Sequence, residues 1–171
     1  NLDVFTPQHL SETSISEWLL SVVKSGDVLG YDPWLHTPQD LKPLREVSRH
    51  FKVKFIPCEK NPLDCIWTDR PQASTTLAVP HAIQYAGQSS EDKRKNLAGK
   101  LKDTRVDIAV LTAPDSIAWL FNIRGGDVSH TPLALGFACV RNDESAILFM
   151  DQKKVSLELR EHLGTLVSIA P

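Results

Sequence analysis

The sequence predicts an α/β protein built from two successive units, and three observations lead there. Helix and strand signals alternate between residues 14 and 57, which is the rhythm of an α/β unit. Strand-length apolar runs recur between residues 106 and 169 among helical segments. A stretch of low periodicity, residues 68–80, lies between the two groups.

The first helix signal is Ser14-Ile15-Ser16-Glu17, a capping box. The Ser14 hydroxyl accepts the Glu17 amide, and the Glu17 carboxylate reaches back to the cap amide. Trp18, Leu19 and Val22 supply the apolar face, and Gly26 stops the turn. Asp27 to Asp32 reads as a short buried strand ended by Pro33. A second helix begins at Thr37-Pro38-Gln39-Asp40: Thr37 caps it, Pro38 suits the first helical position, and Asp40 faces the positive helix end. Leu41, Leu44, Val47 and Phe51 form its apolar stripe, and Val53 to Pro57 is the strand that follows. The alternation fades after Ile66-Trp67. Residues 68–80, with Pro71 and clusters of serine and threonine, read as a linker. The expected domains are therefore residues 1–80, linker included, and residues 81–171.

The second unit starts near Tyr85. Ser89-Ser90-Glu91-Asp92 caps a helix running to about Lys102, with Leu97, Ala98 and Leu101 inward and Lys93, Arg94, Lys95, Lys100 and Lys102 outward. Val106 to Leu111 is a strand, and Asp115 to Phe121 a short helix whose Ile117, Leu120 and Phe121 share a face. Leu135 to Val140 and Ala146 to Met150 read as adjoining strands, joined by the polar turn Arg141 to Ser145. Val155 to Leu163 reads as a helix and Leu166 to Ile169 as a last strand. Both units are expected to be incomplete, the first at its beginning and the second at its end.

Composition narrows the function classes. The 19 basic and 21 acidic side chains give a formal charge of -2, which selects for neither nucleic acid nor an anionic membrane. No apolar stretch reaches the roughly 18 residues of a membrane-spanning helix. Asn1-Leu2-Asp3-Val4 has neither the basic start nor the apolar core of a signal peptide. Position 1 is not methionine, so a segment upstream of it is expected. Cys58, Cys65 and Cys139 are odd in number and irregular in spacing, and read as free, mostly buried thiols of a reducing, cytoplasmic protein.

Catalytic signatures are sparse. His9, His36, His50, His81, His130 and His162 show no ligand-like spacing, so no metal site is expected here. There is no Gly-x-Ser-x-Gly elbow, and Gly125-Gly126 lacks the lysine of a phosphate loop. The basic run from Lys93 to Lys102 has no interleaved aromatic residue and reads as a solvated helix face rather than a nucleic-acid surface.

One segment differs. From Asn122 to Pro132 a short helix empties into a polar loop. Its two glycines permit sharp turns, Arg124 offers a five-donor fork for a carboxylate or carbonyls, Asp127 is placed to pair with it, and His130 can titrate or donate. The chemistry leaves open whether this loop binds something or whether Arg124 and Asp127 merely staple it. Trp119 reads as core or as the lid of a domain contact.

Four segments in series resemble a known family: Leu29-Gly30-Tyr31-Asp32-Pro33-Trp34-Leu35-His36, Asp64-Cys65-Ile66-Trp67-Thr68-Asp69-Arg70-Pro71, Tyr85-Ala86-Gly87-Gln88-Ser89, and Asp115 through Asp127. In order and spacing they resemble the three-domain Xaa-Pro aminopeptidases of the creatinase/prolidase superfamily. The resemblance implies two amino-terminal domains of mixed sheet flanked by helices, followed by a catalytic domain. That domain would hold two divalent metal ions, expected to be manganese, and would release the residue that precedes proline. On this comparison residues 1–80 correspond to the later part of the first domain and residues 81–171 to the opening part of the second, with no catalytic residue or metal ligand in the chain. The implied partners are the catalytic domain, a second copy in a homodimer, and proline-containing peptides. Arg124, Asp127, His130, Trp119 and Asn122 become candidates for shaping substrate access or a domain interface. A prolidase or creatinase-like hydrolase with a single amino-terminal domain, and a free-standing binding module, are the alternatives.

Overall fold

The computed structural model describes residue 4 and residues 6–171. It divides into two compact units, one ending at Pro71 and one running from Gln72 to Pro171. The break falls inside the 68–80 stretch. Residues 72–80 run with the second unit, because buried Ala78 donates its amide to the Lys154 carbonyl at 2.9 Å.

The first unit contains α1 (Ile15–Val22), β1 (Val28–Tyr31), α2 (Leu41–Phe51), β2 (Lys54–Pro57) and α3 (Pro62–Ile66). The capping box forms as the sequence predicts: the Glu17 amide donates to Ser14 Oγ at 3.3 Å, and the Ser14 amide donates to the Glu17 carboxylate at 2.8 Å. The Thr37–Asp40 pair makes a similar reciprocal exchange one turn before α2. Parallel strands β1 and β2 pair Val28 with Lys54 through Tyr31 with Pro57. Leu19, Leu41, Leu44 and Val47 are buried, with Leu29, Tyr31, Phe51 and Phe55 packed against them. Two expectations change here. β1 is not buried, Val28 being 58% exposed, because a two-stranded sheet presents only one face to the helices. Of the α1 stripe only Leu19 is buried.

The second unit contains β3 (Val79–Pro80), α4 (Ile83–Ala86), α5 (Ser90–Asp103), β4 (Ile108–Leu111), α6 (Pro114–Phe121), β5 (Ile123–Arg124), β6 (Phe137–Arg141), β7 (Ala146–Phe149), α7 (Leu157–Leu163) and β8 (Val167–Ala170). Its main sheet runs β4-β6-β7-β8, with β4/β6 and β6/β7 antiparallel and β7/β8 parallel. This is a mixed sheet flanked by helices, as the sequence and the resemblance predicted. Residues alternate across it. Ala138, Val140, Ala146, Leu148 and Val167 face a core shared with Ile117, Leu120 and Phe121 of α6 and Leu159 and Leu163 of α7. Val110, Phe137 and Ile147 lie on the other face and are exposed, Val110 at 66%.

The last helix starts later than expected. A 3-10 turn occupies Gln152–Lys154, and Ser156 then caps α7 by accepting the Leu159 amide at 3.1 Å. None of the three thiols is buried: Cys65 is exposed, and Cys58 and Cys139 are partly covered. The cause is local, since Cys65 sits on five-residue α3, which has no buried residue.

Candidate functional site

The polar loop begins where α6 ends. Asn122 caps the helix in the left-handed region at φ 50°, a conformation that asparagine tolerates better than most side chains. Both ends of its buried amide are engaged: Nδ2 donates to the Gln88 carbonyl at 2.8 Å, and Oδ1 accepts from Lys93 Nζ at 2.6 Å. Lys93 also donates to the Trp119 carbonyl at 2.8 Å, and its Nζ lies 4.5 Å from the centroid of the Trp119 ring. Lys93 is thus not on the solvated face where its charge suggested. It is 3% exposed, and its neighbour Arg94 is 4% exposed. Burial, and after it the charge of Arg124, hold the Lys93 ammonium below the ordinary lysine pKa. Neutral acceptors and an aromatic face suit such a cation. Trp119 is 57% exposed, so it is not a core residue; it roofs Lys93.

After Asn122 the chain forms β5, which pairs antiparallel with β3, Ile123 opposite Pro80 and Arg124 opposite Val79. Arg124 is partly buried and donates through Nη1 to the Ile123 carbonyl at 2.9 Å. It does not pair with Asp127. The Asp127 carboxylate instead accepts from Lys154 Nζ at 2.6 Å and from the Leu135 amide at 2.7 Å, both through Oδ2. The side chains of this pair are 9% and 1% exposed for Lys154 and Asp127. Burial pushes the Asp127 carboxyl up; the hydrogen bonds from Lys154 and Leu135, with the Lys154 charge, outweigh it and hold the group below the usual carboxylate value. Its Oδ1 is buried with no hydrogen-bond partner among the described residues.

The rest of the loop folds onto itself. The Gly125 amide donates to the Pro132 carbonyl at 3.3 Å, and the Asp127 amide to the Leu133 carbonyl at 3.1 Å. A Cβ on Gly125 would stand 2.7 Å from Ala134 Cβ, so only glycine fits the close approach of the two arms. The arms end in an exposed tip with His130 at φ 59°.

The structure therefore gathers Trp119 and Asn122 around Lys93, sets Asp127 against Lys154, leaves Arg124 beside its own neighbour's carbonyl, and puts His130 at the tip. Spacing carried a signal for Lys93 and Arg94. Residues 93, 94, 97, 98 and 101 form one helical stripe, and residue type masked it. No local pattern pointed to Lys154. Among the described residues no three His, Cys, Asp or Glu side chains gather to hold a metal ion. No helix among them is long and apolar enough to cross a membrane.

Three kinds of comparison place this geometry among known proteins. The family model described as Creatinase/Prolidase N-terminal domain matches residues 69–171. A protein of Paracoccidioides lutzii described as "Probable Xaa-Pro aminopeptidase P" is 32% identical over 156 residues, 91% of this chain and 25% of that protein. "Aminopeptidase P1" of Lotus japonicus is 32% identical over 152 residues, 89% of this chain and 23% of that one. The crystal structure of an X-prolyl aminopeptidase from Caenorhabditis elegans, described as a cytosolic enzyme with a di-nuclear active site, superposes with a TM-score of 0.80 at 30% identity. That match covers 98% of this chain and 27% of the other. The chain spans about a quarter of the length of the curated relatives it matches.

Proposed function

The chain belongs to the creatinase/prolidase N-terminal domain family, and from that premise we propose that it is the non-catalytic amino-terminal part of an aminopeptidase that removes the residue preceding proline. Its role is to pack against the catalytic domain and to shape substrate access. The observation that carries this reading is the outer face of the four-stranded sheet, where Val110, Phe137 and Ile147 stand exposed on three adjacent strands. An apolar sheet face of this kind is stable when another layer covers it. The length of the relatives supports the rest of a longer polypeptide as that layer.

On this reading the two divalent ions, manganese by resemblance, belong to the catalytic domain, where they would activate water for attack on the peptide bond. The described residues of this chain do not fit a metal site, and no chemical step is assigned to them. The loop bearing Arg124, Asp127 and His130, with Trp119 and Asn122 at its base, is the proposed element of substrate access. Asp127 and Asn122 hold it in shape, while Arg124 and His130 are placed to meet a peptide or a neighbouring domain. The partners are the catalytic domain, a second copy of the protein and proline-containing peptides. A cytoplasmic location fits the free thiols.

The test is Mn²⁺-dependent hydrolysis of a short Xaa-Pro peptide, measured for this 171-residue chain and for the longer polypeptide that carries it. Turnover by the longer polypeptide alone is the expected result. Turnover by the isolated chain, or its absence from both, overturns the reading.

A further inference from the structure

Lys93 and Arg94 are two consecutive buried cations of α5, and no carboxylate lies within ion-pair distance of either among the described residues. Lys93 is accounted for by its carbonyl and amide acceptors and the Trp119 ring. Arg94 is not. Its Nη1 donates to the Glu144 carbonyl at 2.9 Å, while Nε is buried with no partner among the described residues. Four residues earlier on the same helix face, Ser90 Oγ is also buried and without a partner among the described residues. Both residues line one cavity of about 630 Å³ in the second unit, with Glu91, Asn122, Glu161 and His162 among its other walls. The charges of Glu91 and Glu144 partly compensate the guanidinium, but buried donors left without a partner are costly and uncommon, and two on one cavity wall point to a ligand.

We propose that this cavity binds a small zwitterion of α-amino-acid size, its carboxylate held by Arg94 and Ser90. The guanidinium sets the geometry. With Nη1 committed to Glu144, the edge that remains is Nε with Nη2, whose parallel N–H bonds match the two oxygens of a carboxylate. The Ser90 hydroxyl adds a third donor. The amino end of α5, a helix of 14 residues, adds the positive end of its dipole. The acidic wall decides which anion fits. Glu91 and Glu161 are both exposed, and they disfavour a multiply charged phosphate while offering acceptors to an ammonium group. The volume is in the range of small-molecule sites. This site does not depend on the peptidase reading.

The experiment is a ¹H–¹⁵N NMR titration of the full chain with L-alanine, with acetate and inorganic phosphate as comparison probes. Alanine is expected to give saturable shifts confined to residues 89–94 and 161–166, and to bind more tightly than acetate or phosphate. Ser90→Ala should weaken it about tenfold, and Arg94→Lys by more, since lysine keeps the charge but loses the fork. Circular dichroism checks that each variant is folded, and Ser90→Ala decides the matter if Arg94→Lys does not fold. The absence of saturable shifts with alanine, or unchanged affinity in the folded variants, overturns the site. Tighter binding of phosphate, or equal binding of acetate, overturns the assignment to a zwitterion.

Discussion

Lys93 and Asn122 lie 29 residues apart in the chain, and their side chains meet at 2.6 Å in the interior of the second unit. The contact ties the first turns of α5 to the end of α6. Asn122 performs two tasks, adopting a left-handed backbone and supplying both ends of its amide to partners far away in the chain, Gln88 and Lys93. Asn122→Ala should therefore destabilise the chain by about 2–4 kcal/mol, from lost hydrogen bonds plus backbone strain. Asn122→Gly spares the backbone part and should cost less. Equal losses in urea unfolding would show that the left-handed conformation contributes nothing.

Asp127 gives the second unit a pH dependence. Its folded pKa is depressed, so its contribution to stability is complete above the unfolded value of about 4 and is lost as the pH falls through the lower folded value. Asp127→Asn should cost about 3 kcal/mol at neutral pH by stranding Lys154. The difference from the parent chain should shrink steadily below about pH 4. Urea unfolding across that range measures it, and an equal difference at all pH values contradicts the pairing.

Two glycines should respond to alanine with opposite signs. At Gly125 the added Cβ meets Ala134 at 2.7 Å, and the loop arms must separate, at a cost of about 1–3 kcal/mol. At Gly99, within α5, a Cβ meets nothing within 4 Å. Gly99→Ala should stabilise by about 0.5–1 kcal/mol through helix propensity. Thermal unfolding of both variants is the check.

The exposed sheet face separates the isolated chain from its proposed setting. Val110→Lys should change the stability of the chain by no more than about 0.5 kcal/mol, because Val110 is already in solvent. In the longer polypeptide the same change buries a charge and should lower stability by several times that amount. Equal effects in the two would mean that the face stays uncovered.

The loop makes a kinetic prediction. Arg124→Ala and His130→Ala, made in the longer polypeptide, should lower kcat/KM for an Xaa-Pro peptide about tenfold, with little loss of stability. Unchanged kcat/KM would leave the loop as a structural staple.

Local signals in the sequence were followed closely by the structure. The Ser14–Glu17 box, the Ser89 cap and the Leu41–Leu44–Val47 stripe are decided by neighbours within one or two turns, and all three formed. What depended on distant partners was hidden. Lys93 and Arg94 looked solvent-facing by type, yet their spacing from Leu97 and Ala98 placed them inward. Arg124 is the cation nearest Asp127 along the loop, but the partner of Asp127 is Lys154, 27 residues away. Short α3 had its signals, Asn61 as cap and Pro62 in the first turn, but five residues give no periodicity to read.

Trp119 is the one tryptophan between Gln72 and Pro171, whereas Trp18, Trp34 and Trp67 all precede Pro71. The indoles thus divide the chain into two separate fluorophores. With those three replaced by phenylalanine, the indole emission, excited beyond the tyrosine band, would come from Trp119 alone, its ring 4.5 Å from the Lys93 ammonium. Loosening of the α5–α6 contact would then appear as a change in colour and yield, while α1 and α2 remained spectroscopically silent.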